Sequence, residues 1–199
     1  MAESDVPTLS EFLERAWREL VDGVGDAGHG FHQPIVATVS GTGQPRARMV
    51  VLRQVDVAGR RLRFHTDVRA SKVNELQQGV AWTFYDRPRR LQVRAFGPSQ
   101  LASESRIEER WTDSLPASRK CYLVDPGPGS PLDEWGSGHQ EWAGTRIPPV
   151  ERTEEGRCNF TVVETEIVEF EVLRVRRQGH RRARYLWADG RWNGTWVVP

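Results

Sequence analysis

Residues 48–72, "RMVVLRQVDVAGRRLRFHTDVRASK", place arginines inside apolar β-type runs and end one run in His65-Thr66, just before Ser71-Lys72. Arginine supplies a planar two-pronged donor, lysine a point charge and hydroxyls neutral donors, which together suit a phosphate. On a continuous strand, Arg46, Arg48, Val50 and Leu52 share one face and Met49, Val51 and Arg53 the other, so Arg48 and Arg53 project to opposite sides. Thr66 ends the following strand. Ser71 and Lys72 open a helix whose free N–H groups and dipole favour an anion. Arg48, Thr66, Ser71 and Lys72 are thus candidates to converge on one phosphate. Gln92, within "LQVRAFG", offers a donor and an acceptor to a heterocycle edge. Taken singly, the same residues also fit a solvated strand edge, a helix cap and an exposed glutamine.

Other motifs carry less. "GVGDAG" (23–28) has the G-x-G-x-x-G spacing but follows a helix and precedes a strand, the reverse of the dinucleotide-binding context. His29 and His32 have no carboxylate or thiol cluster beside them, so a surface or core role outweighs metal binding. There is no G-x-S-x-G elbow. Cys121 and Cys158 lack metal-knuckle spacing and read as ordinary thiols. Trp135 and Trp142, with Glu134 and Glu141, fit a substrate lid and loop packing equally well. Trp187, Trp192 and Trp196 read as core or subunit interface.

The elements that must position these groups follow from periodicity. Leu9, Phe12, Leu13, Ala16, Trp17, Leu20 and Val21 recur at helical spacing behind a Thr8/Glu11 capping box and stop near Gly23. Three strands joined by hairpins follow: 34–40, 45–55 and 60–66. A short helix over 71–78 is expected to pack through Val73 and Leu76. A second hairpin is expected from "VAWTFYD" and "RLQVRAFGPSQL", and a helix capped by Ser105 and Glu108 to bury Ile107 and Trp111. Prolines and glycines dominate 125–150, a long loop. "NFTVVETEIVEFEVLRV", "HRRARYLWAD" and "RWNGTWVVP" close the chain as strands, the last two across an Asp189-Gly190 turn. Antiparallel hairpins without a βαβ rhythm argue for a mainly β fold, a β-barrel with helical decoration whose closure removes sheet edges and whose helices cover the openings.

The 199 residues, 38% hydrophobic, suit one domain over 1–199, with residues 1–30 forming an N-terminal helix and loop. With 28 basic and 27 acidic side chains the net charge is +1, so no overall field favours nucleic acid or an anionic membrane. No leader-like or membrane-spanning segment is seen, which makes a cytoplasmic protein the expectation.

From about Pro34 to Pro199 the chain resembles the pyridoxamine 5′-phosphate oxidase-like flavin-binding proteins. Their R-x-V-L-L-K strand corresponds to Arg48-Met-Val-Val-Leu-Arg53, their Tyr-Thr to His65-Thr66, and their Arg-Lys at a helix start to Ser71-Lys72. Their R-Q-V strand is "LQV" with Gln92. Their Arg-Phe-Leu-Tyr is Arg184-Tyr-Leu-Trp187, and their terminal W-x-x-x-R-L-x-P is Trp192 through Pro199. The resemblance implies an antiparallel split β-barrel that binds FMN at a homodimer interface. Arg48, Thr66 and Lys72 would hold the phosphate and ribityl chain. The Met49, Val50, Val51 and Leu52 strand would lie along the isoalloxazine, with Arg53, His65 and Ser71 as neighbours. Gln92 would meet the ring's polar edge, and Arg184 would reach the flavin from the partner subunit.

The departures fall on the substrate side of that pattern. Leu115 stands where the family has a phosphate-binding arginine, His180-Arg181-Arg182 replaces Arg-Leu-His, and Glu171 replaces a flavin-flanking tryptophan. The implied function is an FMN-binding oxidoreductase with an unidentified small substrate, His180 and Arg182 being substrate contacts, rather than the authentic oxidase. The alternatives are a non-catalytic flavin binder or sensor, a reductase using deazaflavin F420, and a barrel binding single-stranded nucleic acid. Near-neutral charge weighs against the last.

Overall fold

The computed structural model describes residues 7–139, 143 and 147–199. The Thr8 hydroxyl accepts from Glu11 N at 3.2 Å while the Glu11 carboxylate accepts from Thr8 N at 2.7 Å, so the expected capping box opens α1, Leu9–Gly25. Its apolar face, Phe12, Ala16, Trp17 and Leu20, enters the core, where the Trp17 ring stacks on Phe170 at 5.0 Å.

Eleven strands follow among the described residues. β1 (Ile35–Val39), β2 (Pro45–Met49), β5 (Val80–Asp86), β6 (Leu91–Gly97), β9 (Glu169–Arg174), β10 (Arg181–Ala188) and β11 (Arg191–Val197) form one antiparallel sheet, in the order β11-β10-β9-β6-β5-β1-β2. β3 (Leu52–Asp56), β4 (Arg61–Asp67), β7 (Ser99–Leu101) and β8 (Phe160–Glu166) form a second, in the order β3-β4-β8-β7. The two sheets enclose a core of Leu52, Leu62, Phe64, Trp82, Phe84, Val93 and Val172 in a split β-barrel. The fold is mainly β and antiparallel, as the hairpin pattern implied. Among the described residues the sheets nevertheless end at β11, β2, β3 and β7, with no continuous ladder closing the barrel.

Two expected strands turn out to be pairs. Residues 45–55 break at Val50-Val51, with β2 in one sheet and β3 in the other; residues 159–175 break at Ile167-Val168 between β8 and β9. A third crossing joins β6 to β7 at Gly97-Pro98. The crossings at Ile167-Val168 and Gly97-Pro98 are stitched together by Glu166 N to Pro98 O at 3.0 Å and Val168 N to Phe96 O at 2.9 Å, and Ile167 N donates to Arg60 O at 2.7 Å. A Cβ on Gly97 would stand 1.8 Å from Glu166 O, so only glycine lets the chains approach here.

The helices differ from expectation in detail. The 71–78 helix is one turn, α2 (Ser71–Asn74), followed by a 3-10 turn at Leu76–Gln78, so it has little macrodipole. α3 (Glu104–Thr112) takes Ser103, not Ser105, at its N-cap position, without a side-chain cap. α3 buries Ile107 and Trp111, as predicted, against Phe160 and Val162 on the face of β8 opposite the core, rather than over a barrel opening. Asp189 and Gly190 both take positive φ, the geometry of a tight hairpin turn. Residues 125–139 and 147–149 carry no helix or strand; Trp135 is fully exposed, and Glu141 and Trp142 lie outside the described residues. Among the described residues no helix is long and apolar enough to cross a membrane.

Candidate functional site

Register fixes which way the arginines of β2 point. Arg48 lies opposite Val36 and Arg46 opposite Thr38, and directly opposed residues share a face. Val36 is fully buried, so Arg48 turns inward, toward the end of the barrel under α2. Its Nη1 donates to Thr38 Oγ1 at 2.5 Å and to Arg46 O at 3.2 Å, and its Nη2 donates to Glu75 Oε2 at 3.1 Å. Arg46 Nη1 donates to Glu75 Oε1 at 3.0 Å, and the Thr38 hydroxyl donates to Glu75 Oε2. Burial alone would raise the Glu75 carboxyl, but hydrogen bonds from Thr38 and Arg48 and the charges of Arg48 and Arg46 outweigh it and hold the group below the usual carboxylate range.

Across the same space Lys72 Nζ donates to Thr66 Oγ1 at 3.0 Å. Burial first, then the Arg48 charge, lowers the pKa of the Lys72 ammonium against the opposing pull of Asp67 and Glu75. An anion arriving here would therefore relieve cation repulsion as well as find donors. Thr66 pairs with Thr161 of β8, whose hydroxyl is buried and has no hydrogen-bond partner among the described residues. This hydroxyl, one strand over from the Lys72–Thr66 pair, is a buried donor still open to an acceptor. Ser71 sits exposed at the rim. Lys72 and Thr66 are thus in contact, with the Arg48 charge near enough to act on Lys72. Glu75, Thr38, Arg46 and Thr161 complete the cluster and were not singled out from sequence.

The remaining predicted residues lie elsewhere. The Leu52 side chain is fully buried in the core, so only its backbone could face a ligand. Val50 and Val51 form the sheet crossing and are half-buried. Although the strand breaks there, the expected alternation survives it: Arg46 and Arg48 turn to the inward side, Val50 packs against the core and Leu52 is buried in it, while Met49 and Arg53 are exposed. His65 and Arg53 occupy the far side of the four-stranded sheet. The His65 imidazole packs edge-on against Phe160 at 4.9 Å, and burial, with the charges of Arg53 and Arg110, lowers its pKa to about 4. His65 and Thr66, adjacent on β4, therefore serve opposite faces.

Met49, Gln92 and Arg184 all face outward from the seven-stranded sheet, the side opposite Arg48. A cleft of about 270 Å³ opens there between Ala37, Thr83, Arg94, Phe96, Glu171 and Arg184. Around it Ile35, Met49, Tyr85 and Leu186 are exposed. Arg182 Nη2 donates to Glu171 Oε2 at 2.8 Å and Arg94 Nη1 to Glu171 Oε1 at 3.4 Å, so Glu171 joins three strands. His180 Nδ1 accepts from Arg176 N at 3.2 Å in the β9–β10 turn. Leu115, in place of the arginine the resemblance called for, is exposed.

The motifs set aside resolve as packing. His29 Nε2 lies 3.1 Å from Glu19 Oε2 in a buried pair, and His32 Nδ1 lies 2.8 Å from Gly23 O. A Cβ on Gly23 would fall 2.9 Å from Phe31 Cβ, so this glycine serves helix–loop contact rather than a ligand.

Comparison with known proteins sets this geometry in context. The family model for the pyridoxamine 5′-phosphate oxidase, FMN-binding domain, matches residues 14–103. Pyridoxine/pyridoxamine 5′-phosphate oxidase 2 of Arabidopsis thaliana is 30% identical over 138 residues, covering 62% of this chain and 69% of that protein. The crystal structure of a pyridoxamine 5′-phosphate oxidase-related, FMN-binding protein from Nostoc punctiforme superposes with a TM-score of 0.73 at 22% identity, covering 97% of this chain and 100% of that one. PhzG from Burkholderia lata, solved in complex with tetrahydrophenazine-1-carboxylic acid, gives 0.68 at 17% identity over 98% of this chain and 95% of that one.

Proposed function

Because this chain belongs to the pyridoxamine 5′-phosphate oxidase family of FMN-binding proteins, we propose that it is itself a flavoprotein, binding FMN through the Arg48–Thr66–Lys72 cluster and using it as an oxidoreductase. The observation that carries the reading is the inward-facing cluster: Arg48 on the Thr38 hydroxyl, Lys72 on the Thr66 hydroxyl, and beside Thr66 on the next strand the buried, unpaired hydroxyl of Thr161. Arg48 and Lys72 would neutralise the phosphate, and Thr66 and Thr161 would donate to its oxygens. Bound FMN would supply hydride acceptance and donation at its ring.

Gln92 and Arg184 lie on the outer face of the seven-stranded sheet, away from that pocket. A homodimer formed through this face brings one protomer's Gln92 and Arg184 toward the flavin of its partner, and the exposed Ile35, Met49, Tyr85 and Leu186 give such a dimer an apolar contact. His180 and Arg182 at the rim are proposed substrate contacts. The exposed Leu115 favours a second reading as well, a flavin binder with no phosphorylated substrate, since an aliphatic side chain replaces a bidentate donor. A cytoplasmic location belongs to the same proposal.

The test is an absorption spectrum of the purified protein and a mass for whatever heat releases. Flavin bands with the FMN mass support the proposal, and an F420 mass redirects it to deazaflavin chemistry. A colourless protein that takes up no added FMN ends it. Turnover with NAD(P)H and common acceptors then separates an enzyme from a carrier.

A further inference from the structure

Glu75 is a carboxylate within the cluster proposed to receive a phosphate, and it is only 6% exposed. A buried charge of the ligand's own sign weakens binding unless it does something else there. Both of its oxygens are engaged: Oε1 takes Arg46, and Oε2 takes Arg48 Nη2 and Thr38. With Thr38 on Nη1, the end-on pair of the Arg48 guanidinium is fully occupied. Of the five N–H donors of an arginine, those left without a described acceptor are Nε–H and the second Nη2–H, a side-on pair matched to two phosphate oxygens.

Glu75 also sets the charge. Arg46, Arg48 and Lys72 face it, and Asp67 beside Lys72 is already paired with Arg69, whose Nη2 and Nε lie 2.7 and 2.9 Å from its oxygens. Three cations against one carboxylate leave two positive charges. A phosphate monoester carries about −1.5 to −2 at neutral pH; a phosphodiester carries one negative charge and a riboflavin hydroxyl none.

We infer that Glu75 is the positioning residue of the phosphate site: it presents the side-on edge of Arg48 and trims the pocket's charge to match a terminal phosphate monoester, so that FMN is selected over flavins ending otherwise. This inference rests on the flavin reading above.

The experiment titrates FMN and riboflavin onto the flavin-free full chain, in wild type, Glu75→Gln and Thr38→Val. Wild type should prefer FMN; if it binds neither flavin the flavin reading itself fails, and if it binds both equally the phosphate selection inferred here fails while flavin binding stands. Given that preference, Glu75→Gln should weaken FMN at least tenfold and leave riboflavin within twofold, so that the affinity ratio collapses. A fold defect would lower both affinities together and leave the ratio alone. Thr38→Val, which removes the shared hydroxyl without changing charge, should lower the ratio by a smaller factor and decides the matter should Glu75→Gln fail to fold. Glu75→Asp should restore part of the preference. An unchanged ratio overturns the inference, and so does a Glu75→Gln protein that binds FMN more tightly, since the carboxylate would then only oppose the phosphate.

Discussion

Arg48 uses three N–H donors on Thr38, Arg46 and Glu75, and the value of what remains depends on the guanidinium's shape. Arg48→Lys keeps the charge but loses the fork, so FMN affinity is expected to fall by about 1.5–3 kcal/mol, the usual worth of a charged hydrogen bond. A flavin titration at fixed salt checks this. His65 carries a second prediction at this scale. Burial holds its pKa in the fold at about 4, against 6.5 for an unperturbed imidazole. Between those values the unfolded chain takes a proton that the native chain refuses. The stability His65 allows is therefore complete above about pH 6.5 and falls as pH drops toward 4, by about 3 kcal/mol as an upper bound. Urea midpoints measured across that range should fall less steeply in His65→Phe than in wild type; parallel curves would refute the assignment. Arg48, Thr66 and Lys72 could be picked out from sequence because arginine, hydroxyl and lysine near strand ends announce anion chemistry. Glu75 could not. In "SKVNELQQ" it looks like the solvated face of a helix, and its burial depends on partners 27 to 37 residues away.

At the scale of elements, the hairpins and α1 were legible because alternation and helical spacing each leave a regular pattern. The sheet crossings at Val50-Val51 and Ile167-Val168 were not, since an apolar run continues through both without a turn residue. Gly97 marks the third crossing. Gly97→Ala drives a methyl into Glu166 O and is expected to cost more than about 4 kcal/mol, or soluble expression altogether. Gly41→Ala, which meets nothing within 4 Å, should stay within about 0.5 kcal/mol of wild type in the same denaturation assay.

For the whole molecule, one protomer leaves the predicted site residues on three surfaces: Arg48, Thr66 and Lys72 inside, Gln92 and Arg184 on the outer sheet face, Arg53 and His65 behind β4. In the homodimer proposed above two copies join the first two sets, an arrangement that no reading of a single chain's periodicity reveals. Leu186→Asp, placing a charge at the centre of the proposed contact, is expected to halve the mass measured by light scattering and to release FMN in the same step. A variant that stays dimeric, or turns monomeric with its flavin retained, would break the link between assembly and cofactor.

The three sheet crossings also govern how the molecule can be made. The seven-stranded sheet takes its strands from both ends of the chain, and the four-stranded sheet waits for β8 to pair with β4 and β7. During synthesis on a ribosome, neither sheet has all its strands until β8 has emerged, and β1 to β7 must persist meanwhile with unpaired edges. Topologies dominated by such distant pairings fold slowly and are open to aggregation while they wait. Yield of the native protein should therefore depend on chaperone supply and on temperature during expression more than its final stability would suggest.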